Sequence, residues 1–421
     1  MINVKIGNEV RLGFWHCTVI TLICLYNINS YILMAMDMQM YYAIQLPKRV
    51  VFGSGIADKI GGEAKLLGAK RALIVTDETM EKKGLCDKVE KPLREVLEEV
   101  EVFDKVESEP TLAIADEVVR ASKNNYDMVV GIGGGSVLDM AKVASAAAAN
   151  PEQEASAFLG ANKIKNPSVP KILIPTTAGT GSETTPFALV IVEGKKKAIA
   201  SSYNLADVVF IDATFTATMP PRVTAFTGMD ALSHAIEAFL SLGANPLTDS
   251  FALEAMRKIS NNLEEAFSHG DNLNARMEMS LAAMLAGIAF GNAGVIAGHA
   301  IAHAFGARYK VPHGVSAALT LPYIMEYNAN APTVGARMKE IATALVGEKI
   351  ESAEEAASKA IARVRSMIER LELPARLSDL DVPREDLPEL AEDVEKEKGY
   401  LKRNPREMGL GDAMKLLENM W

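Results

Sequence analysis

Asp127-Met128-Val129-Val130-Gly131-Ile132-Gly133-Gly134-Gly135-Ser136-Val137-Leu138-Asp139-Met140-Ala141-Lys142 is the stretch on which the fold turns. A short apolar run, of the kind buried on both faces of a sheet, meets a glycine turn and then a helix of small residues. Such a turn lets backbone N–H groups and a helix N-terminus come close to a pyrophosphate. It is not the G-x-G-x-x-G fingerprint, because Ser136 stands where the third glycine would be, and it lacks the Lys-Ser/Thr that ends a P-loop. As a plain turn it would need only Ser136 as helix N-cap. Lys142 would then be an i,i+3 ion partner of Asp139.

The flanking sequence repeats the alternation. Arg49-Val50-Val51-Phe52 ends in a glycine turn, Ala72-Leu73-Ile74-Val75-Thr76-Asp77 ends in a carboxylate, and Val100-Glu101-Val102-Phe103 follows a helix that carries Leu93 and Leu97. A helix over about 111–122 precedes the quoted stretch. Ile172-Leu173-Ile174-Pro175, Phe187-Ala188-Leu189-Val190-Ile191-Val192 and Val208-Val209-Phe210-Ile211-Asp212 add strands after it. Short apolar strands alternating with helices predict an α/β domain with a parallel sheet covered on both faces. Beyond Pro220-Pro221 only amphipathic helical segments remain, so a second, all-α domain is expected. The boundaries read as 41–215 for the α/β domain and 216–421 for the helical one.

A second loop faces the same chemistry. Thr176-Thr177-Ala178-Gly179-Thr180-Gly181-Ser182-Glu183-Thr184-Thr185 follows another apolar strand and is dense in hydroxyls and glycines, as the wall of a cofactor groove would be. A hydroxyl-rich turn capping a helix would look similar. Asp77, at the end of a neighbouring strand, can accept hydrogen bonds from ribose hydroxyls and would repel a 2′-phosphate, which favours NAD over NADP.

The helical half holds the imidazoles. Asp230 and His234 are four apart, so their side chains leave one helix face, and His299 and His303 repeat that spacing. His313 follows a proline at a rigid corner. A carboxylate and imidazoles suit Fe(II), Zn(II) or another divalent first-row metal. Spacing alone leaves His299 and His303 as a ligand pair. His16 and His269 have no such context.

Composition narrows the class. Half of the 421 residues are apolar, and the formal net charge is −10 with a pI near 5.3, which argues against a nucleic-acid partner. Three cysteines without a CxxC pair fit a reducing, cytoplasmic setting. From Leu12 to Met36 there is no charged residue, but Asn27, Asn29, Ser30 and His16 interrupt the apolar run. Residues 1–40 therefore read as an extension outside the fold, with a membrane anchor or a docked helix as the alternatives.

Taken together, Gly133-Gly134-Gly135-Ser136 with Asp139 and Lys142, the Thr176–Thr185 loop, Gly228-Met229-Asp230-Ala231-Leu232-x-His234-Ala235-Ile236-Glu237 and His299-x3-His303-x9-His313-Gly314 resemble the iron-containing (group III) alcohol dehydrogenases. The resemblance runs in order from about Leu46 to Asn404-Pro405-Arg406. It implies a dehydroquinate synthase-like fold: an N-terminal dinucleotide-binding α/β domain, a helical metal-binding domain and a metal in the cleft between them. It implies Asp230, His234, His299 and His313 as metal ligands, with His303 near the site but unligated and acting as proton relay. For the cofactor it points to Asp77, Gly134, Gly135, Ser136, Asp139, Thr176, Thr177, Thr180, Thr185 and Lys197. Glu109-Pro110-Thr111 departs from the Asn-Pro-Thr of many members.

The implied activity is oxidation of a small alcohol, or reduction of an aldehyde, by hydride transfer to or from C4 of NAD, with NADP as the alternative cofactor. Fe(II) is the implied metal and Zn(II) the alternative. A homodimer or higher homo-oligomer is implied as well. On the same fold, a glycerol or glycerol-1-phosphate dehydrogenase or a dehydroquinate-synthase-like lyase is the competing expectation. A non-catalytic metal- or nucleotide-binding protein is a further one.

Overall fold

Nine strands carry the first half of the described chain. In the computed structural model, which describes residues 41–421, β1 (Arg49–Gly53), β2 (Arg71–Val75), β3 (Glu99–Phe103), β4 (Met128–Gly133), β6 (Lys171–Pro175) and β9 (Val208–Asp212) form one sheet. The expected extension over residues 1–40 lies outside the described residues. The strand order is β1-β9-β6-β4-β2-β3, and every pair is parallel. Strands β4 and β6 are buried along their whole length. Alternate residues feed two separate cores, one on each face, as the period of two demands. Leu73, Val75, Val129 and Leu173 pack with Val137, Leu138 and Ala141 on one side. Ile74, Val130, Ile132 and Ile172 pack with Ile60, Val89 and Leu93 on the other.

This order has a switch point. The chain runs from β2 outward to β3, then returns to place β4 on the opposite side of β2. In open α/β sheets the crevice beyond the carboxyl ends of such strands is where ligands bind. Asp77 lies just past β2, the glycine turn just past β4 and Thr176 just past β6. The three expected groove elements are therefore neighbours in space, though about fifty residues separate each from the next.

One strand expectation needs correcting. β7 (Phe187–Val192) does not extend the parallel sheet. It pairs antiparallel with β8 (Lys195–Ala200), and β5 (Gly160–Ala161) pairs with β8 to complete a separate three-stranded sheet. β8 escaped the sequence reading because Lys195-Lys196-Lys197 is too polar to read as a strand. Pro110 and Thr111 dock on β7, where the Ile191 N–H donates to the Pro110 carbonyl.

After β9, the described chain is helical to its end. The Pro221–Leu240, Pro246–Ser268 and Leu273–Ala293 helices pack together, with His313–Ala329 against the first of them and Ala297–Arg308 against His313–Ala329. Ala231, Leu232, Ala235, Ile259, Ala286, Ile301 and Leu319 are among the residues of one continuous helical core. Asn245 starts its helix with a capping box, accepting from the Leu247 and Thr248 N–H groups while Thr248 accepts in return. Among the described residues no single helix is long and apolar enough to cross a membrane.

Candidate active site

Two helices and one helix start bring four groups together. Asp230 and His234 project from one face of the Pro221–Leu240 helix, His299 from the first turn of the Ala297–Arg308 helix, and His313 from the first position of its own helix after Pro312. Their ligand-type atoms all lie within 4.8 Å of one another. His313 Nε2 stands 3.5 Å from Asp230 Oδ1, and the His234 ring stacks on His299 at 4.8 Å and on Phe290 at 4.2 Å.

The donor atoms test whether a metal fits. Asp230 Oδ1, His234 Nδ1 and His299 Nε2 are buried and have no hydrogen-bond partner. Leaving such groups unsatisfied costs roughly 1–3 kcal/mol each. A divalent cation satisfies all three at once, so the residues present fit one. His303 does not join the four. Its ring centroid lies 6.0 Å from that of His299 and 5.1 Å from that of His313, and Tyr400 meets it edge-on at 5.5 Å.

Burial keeps most of these rings neutral. It lowers the His234 pKa against the pull of Asp230, and lowers that of His313 well below the ordinary value. His303 is pushed down to about 3 by burial, with the charges of His299 and Lys196 adding to it. His299 goes the other way: burial opposes its charge, but the Glu237 carboxylate beside it prevails. A stability prediction follows for the metal-free protein. The unfolded chain takes up protons near pH 6.5 that His234, His303 and His313 refuse when folded, so the unfolded state binds more protons below that pH. Stability should therefore fall as pH drops from 6.5 toward 3, read as a declining urea midpoint. A midpoint that rises or stays flat over that range would contradict the burial of these rings.

The groove residues sort into two layers. Asp77, Gly134, Gly135, Ser136, Thr177 and Thr180 are half-buried, and the two loops face each other, Gly134 against Thr177 and Gly135 against Thr180. Asp77 Oδ1 accepts from the Thr79 and Met80 N–H groups, so this carboxylate caps the next helix. The N-cap expected of Ser136 is instead Gly134. The Ser136 hydroxyl accepts from the Glu109 N–H at 3.2 Å.

Asp139, Thr176 and Thr185 lie deeper. Lys142, fully buried, donates to Asp139 (3.2 Å), Ser182 (2.8 Å), Thr185 (3.2 Å) and the Phe187 carbonyl. Asp139 also accepts from Ser182 and from the Leu189 N–H at 2.9 Å. The expected i,i+3 pair is thus present, and it forms the knot that ties the glycine-turn helix to the threonine loop. That loop continues to the imidazoles, for Gly179 packs on Thr227, three residues before Asp230. Gly181, with φ +58°, would place a Cβ 2.5 Å from the Gly287 backbone, so only glycine allows the loop this close to the Leu273–Ala293 helix.

Lys197 is exposed, on the strand face opposite its neighbour. Lys196 is the lysine whose charge acts on His299, His303 and His313, and it pairs with Glu109 at 2.9 Å. The sequence reading missed Lys196, and only the strand's period of two separates it from Lys197. It also missed Glu183, a fully buried carboxyl in the threonine loop that burial pushes up to about 7.

Comparison with known proteins places this arrangement. Residues 47–213 match the family described as iron-containing alcohol dehydrogenase, and residues 224–421 match the C-terminal domain of the Fe-containing alcohol dehydrogenase family. The chain is 38% identical to a long-chain-alcohol dehydrogenase of Geobacillus thermodenitrificans over 85% of this chain and 92% of that protein. It is 39% identical to a 1,3-propanediol dehydrogenase of Klebsiella pneumoniae over 86% and 94%. A crystal structure of 1,3-propanediol oxidoreductase superposes with a TM-score of 0.86 at 36% identity, covering 91% of this chain and all of that one. A sulfoacetaldehyde reductase from Bifidobacterium kashiwanohense, solved in complex with NAD+, gives 0.82 at 28% identity over 90% and 99%. The chain belongs to the iron-containing alcohol dehydrogenase family and is an NAD(P)-dependent oxidoreductase of the alcohol dehydrogenase type.

Proposed function

We propose that the protein interconverts small alcohols and aldehydes, with NAD held by residues 41–215 and one divalent metal held by Asp230, His234, His299 and His313 in residues 216–421. The observation that carries this reading is the convergence of three buried, partnerless donor atoms beside a groove built at a sheet switch point. Fe(II) is the metal proposed, with Zn(II) as the alternative that the same ligands accept. Asp77 supports NAD over NADP, and the neighbour solved with NAD+ supports it further. Cys86, free and buried, is consistent with a reducing, cytoplasmic setting. Homo-oligomerisation is proposed too, because β1 is an edge strand and Phe52 on it is exposed.

When bound, the metal supplies Lewis acidity that makes an alcohol easier to deprotonate or a carbonyl easier to reduce, and the nicotinamide supplies the hydride acceptor or donor. The chain's own residues do the rest. The N-terminus of the Gly135–Ala149 helix, with Gly134, Gly135 and Ser136, would hold the pyrophosphate, and Thr177 and Thr180 would close the opposite wall. The Lys142 knot holds the threonine loop against that cradle, which keeps the two walls of the groove in place. His303 moves the proton. Unligated and with its ring 6.0 Å from that of His299 and 5.1 Å from that of His313, it would pass a proton between the alcohol and solvent.

Two results test this. With short alcohols and diols, NADH should accumulate in step with alcohol consumed; turnover without net NADH would indicate a lyase using NAD transiently. His303→Ala should keep its metal and lose rate by about 10²-fold, the lower end for a proton-transfer group. A metal-free His303→Ala protein would show the ligand assignment wrong.

A further inference from the structure

Glu237 closes the Gly228–Glu237 motif, and neither its spacing nor its residue type gave it a task. In the fold it is 1% exposed and fully engaged. Oε2 accepts from the Ile296 N–H at 2.8 Å and the His299 N–H at 3.3 Å. Oε1 lies 2.8 Å from His299 Nδ1 and accepts from the Ser233 hydroxyl at 3.2 Å. The Ala297–Arg308 helix has no side-chain cap of its own, since Ile296 stands at its N-cap. Glu237 caps it from the neighbouring helix, an anion at the positive end of the dipole.

We propose that Glu237 is the positioning residue of the metal centre. By accepting from Nδ1–H of His299 it fixes that ring's tautomer and leaves the lone pair on Nε2, the atom that is buried and without a partner. By holding the first turn of the same helix it sets where that ring starts. With Asp230 it also supplies two negative charges to a site from which water is largely excluded, enough to balance a divalent cation. Gly298 is part of the device. A Cβ there would stand 2.4 Å from Glu237 Oε1, so any other residue displaces the carboxylate from His299.

This inference rests on the metal-site reading above, and the test separates the two. Co(II) affinity is measured by competition with a chelator, and the Co(II) absorption spectrum is recorded, for metal-free wild-type protein, Glu237→Gln and Gly298→Ala. Glu237→Gln keeps the shape and removes the charge; Gly298→Ala keeps the charge and moves it. Both should bind Co(II) about 10–100-fold more weakly than wild type, as loss of a carboxylate behind a metal-bound histidine does, with a shifted spectrum. A carboxylate that only caps the helix would lower the melting temperature of the metal-free protein and leave Co(II) affinity unchanged. Wild-type affinity in the folded variants therefore overturns the proposal. Should Glu237→Gln fail to fold, Gly298→Ala decides alone. A wild-type protein that binds no Co(II) overturns the site reading and this inference together.

Discussion

His299→Ala should leave the protein folded, empty of metal and close to inactive. The substitution removes one donor of four and leaves Glu237 buried with its main side-chain partner gone. Metal content after anaerobic purification should fall from one equivalent to a small fraction of that. Lewis-acid stabilisation of this kind contributes several kcal/mol to a transition state, so kcat/KM should fall by about 10³-fold or more. Circular dichroism should remain native in shape, because the helical core around Ile301 and Phe305 does not depend on the imidazole. Full metal content in this variant would mean that His299 Nε2 faces the site without binding there.

Lys142→Met should produce the largest loss of stability among single changes near the groove. The methionine keeps the apolar stem and removes the ammonium, which leaves Asp139 buried with no cation and Ser182, Thr185 and the Phe187 carbonyl without their donor. Burial lowers the Lys142 pKa, and the Asp139 carboxylate beside it opposes that shift. Breaking a buried pair by removing one member costs about 3–5 kcal/mol. NAD affinity should weaken with it, because the knot holds the threonine loop against the glycine turn. Lys142→Met combined with Asp139→Asn should recover part of the stability, since no uncompensated charge then remains. An unfolding free energy for Lys142→Met within about 1 kcal/mol of wild type, from denaturant titration, would contradict the structural role of the knot.

Much of this was readable from residue order. A strand, a glycine turn and a small-residue helix leave few alternatives to a nucleotide-facing parallel sheet, and Asp230-x3-His234 places two groups on one helix face wherever that helix lies. The failures share a physical cause, which is that facing direction depends on contacts far away in sequence. His299 and His303 have the same spacing as Asp230 and His234, yet only His299 reaches the cluster; His303, one turn further along the same helix, meets Tyr400 edge-on instead. Lys196 and Lys197 are equivalent as sequence, and a strand sends them to opposite faces. β8 carries too many lysines to read as a strand, although Ile199 is buried and anchors it. Glu237 could not be assigned because its partners, Ile296 and His299, lie about sixty residues on.

The most direct test is anomalous diffraction from crystals of the protein loaded with a single divalent metal, collected on both sides of that metal's absorption edge. One strong anomalous peak is expected, bonded to an oxygen of Asp230 and to nitrogens of His234, His299 and His313, with His303 outside bonding distance. A peak held by other residues, or no peak in crystals of protein that retains metal and activity, would contradict it.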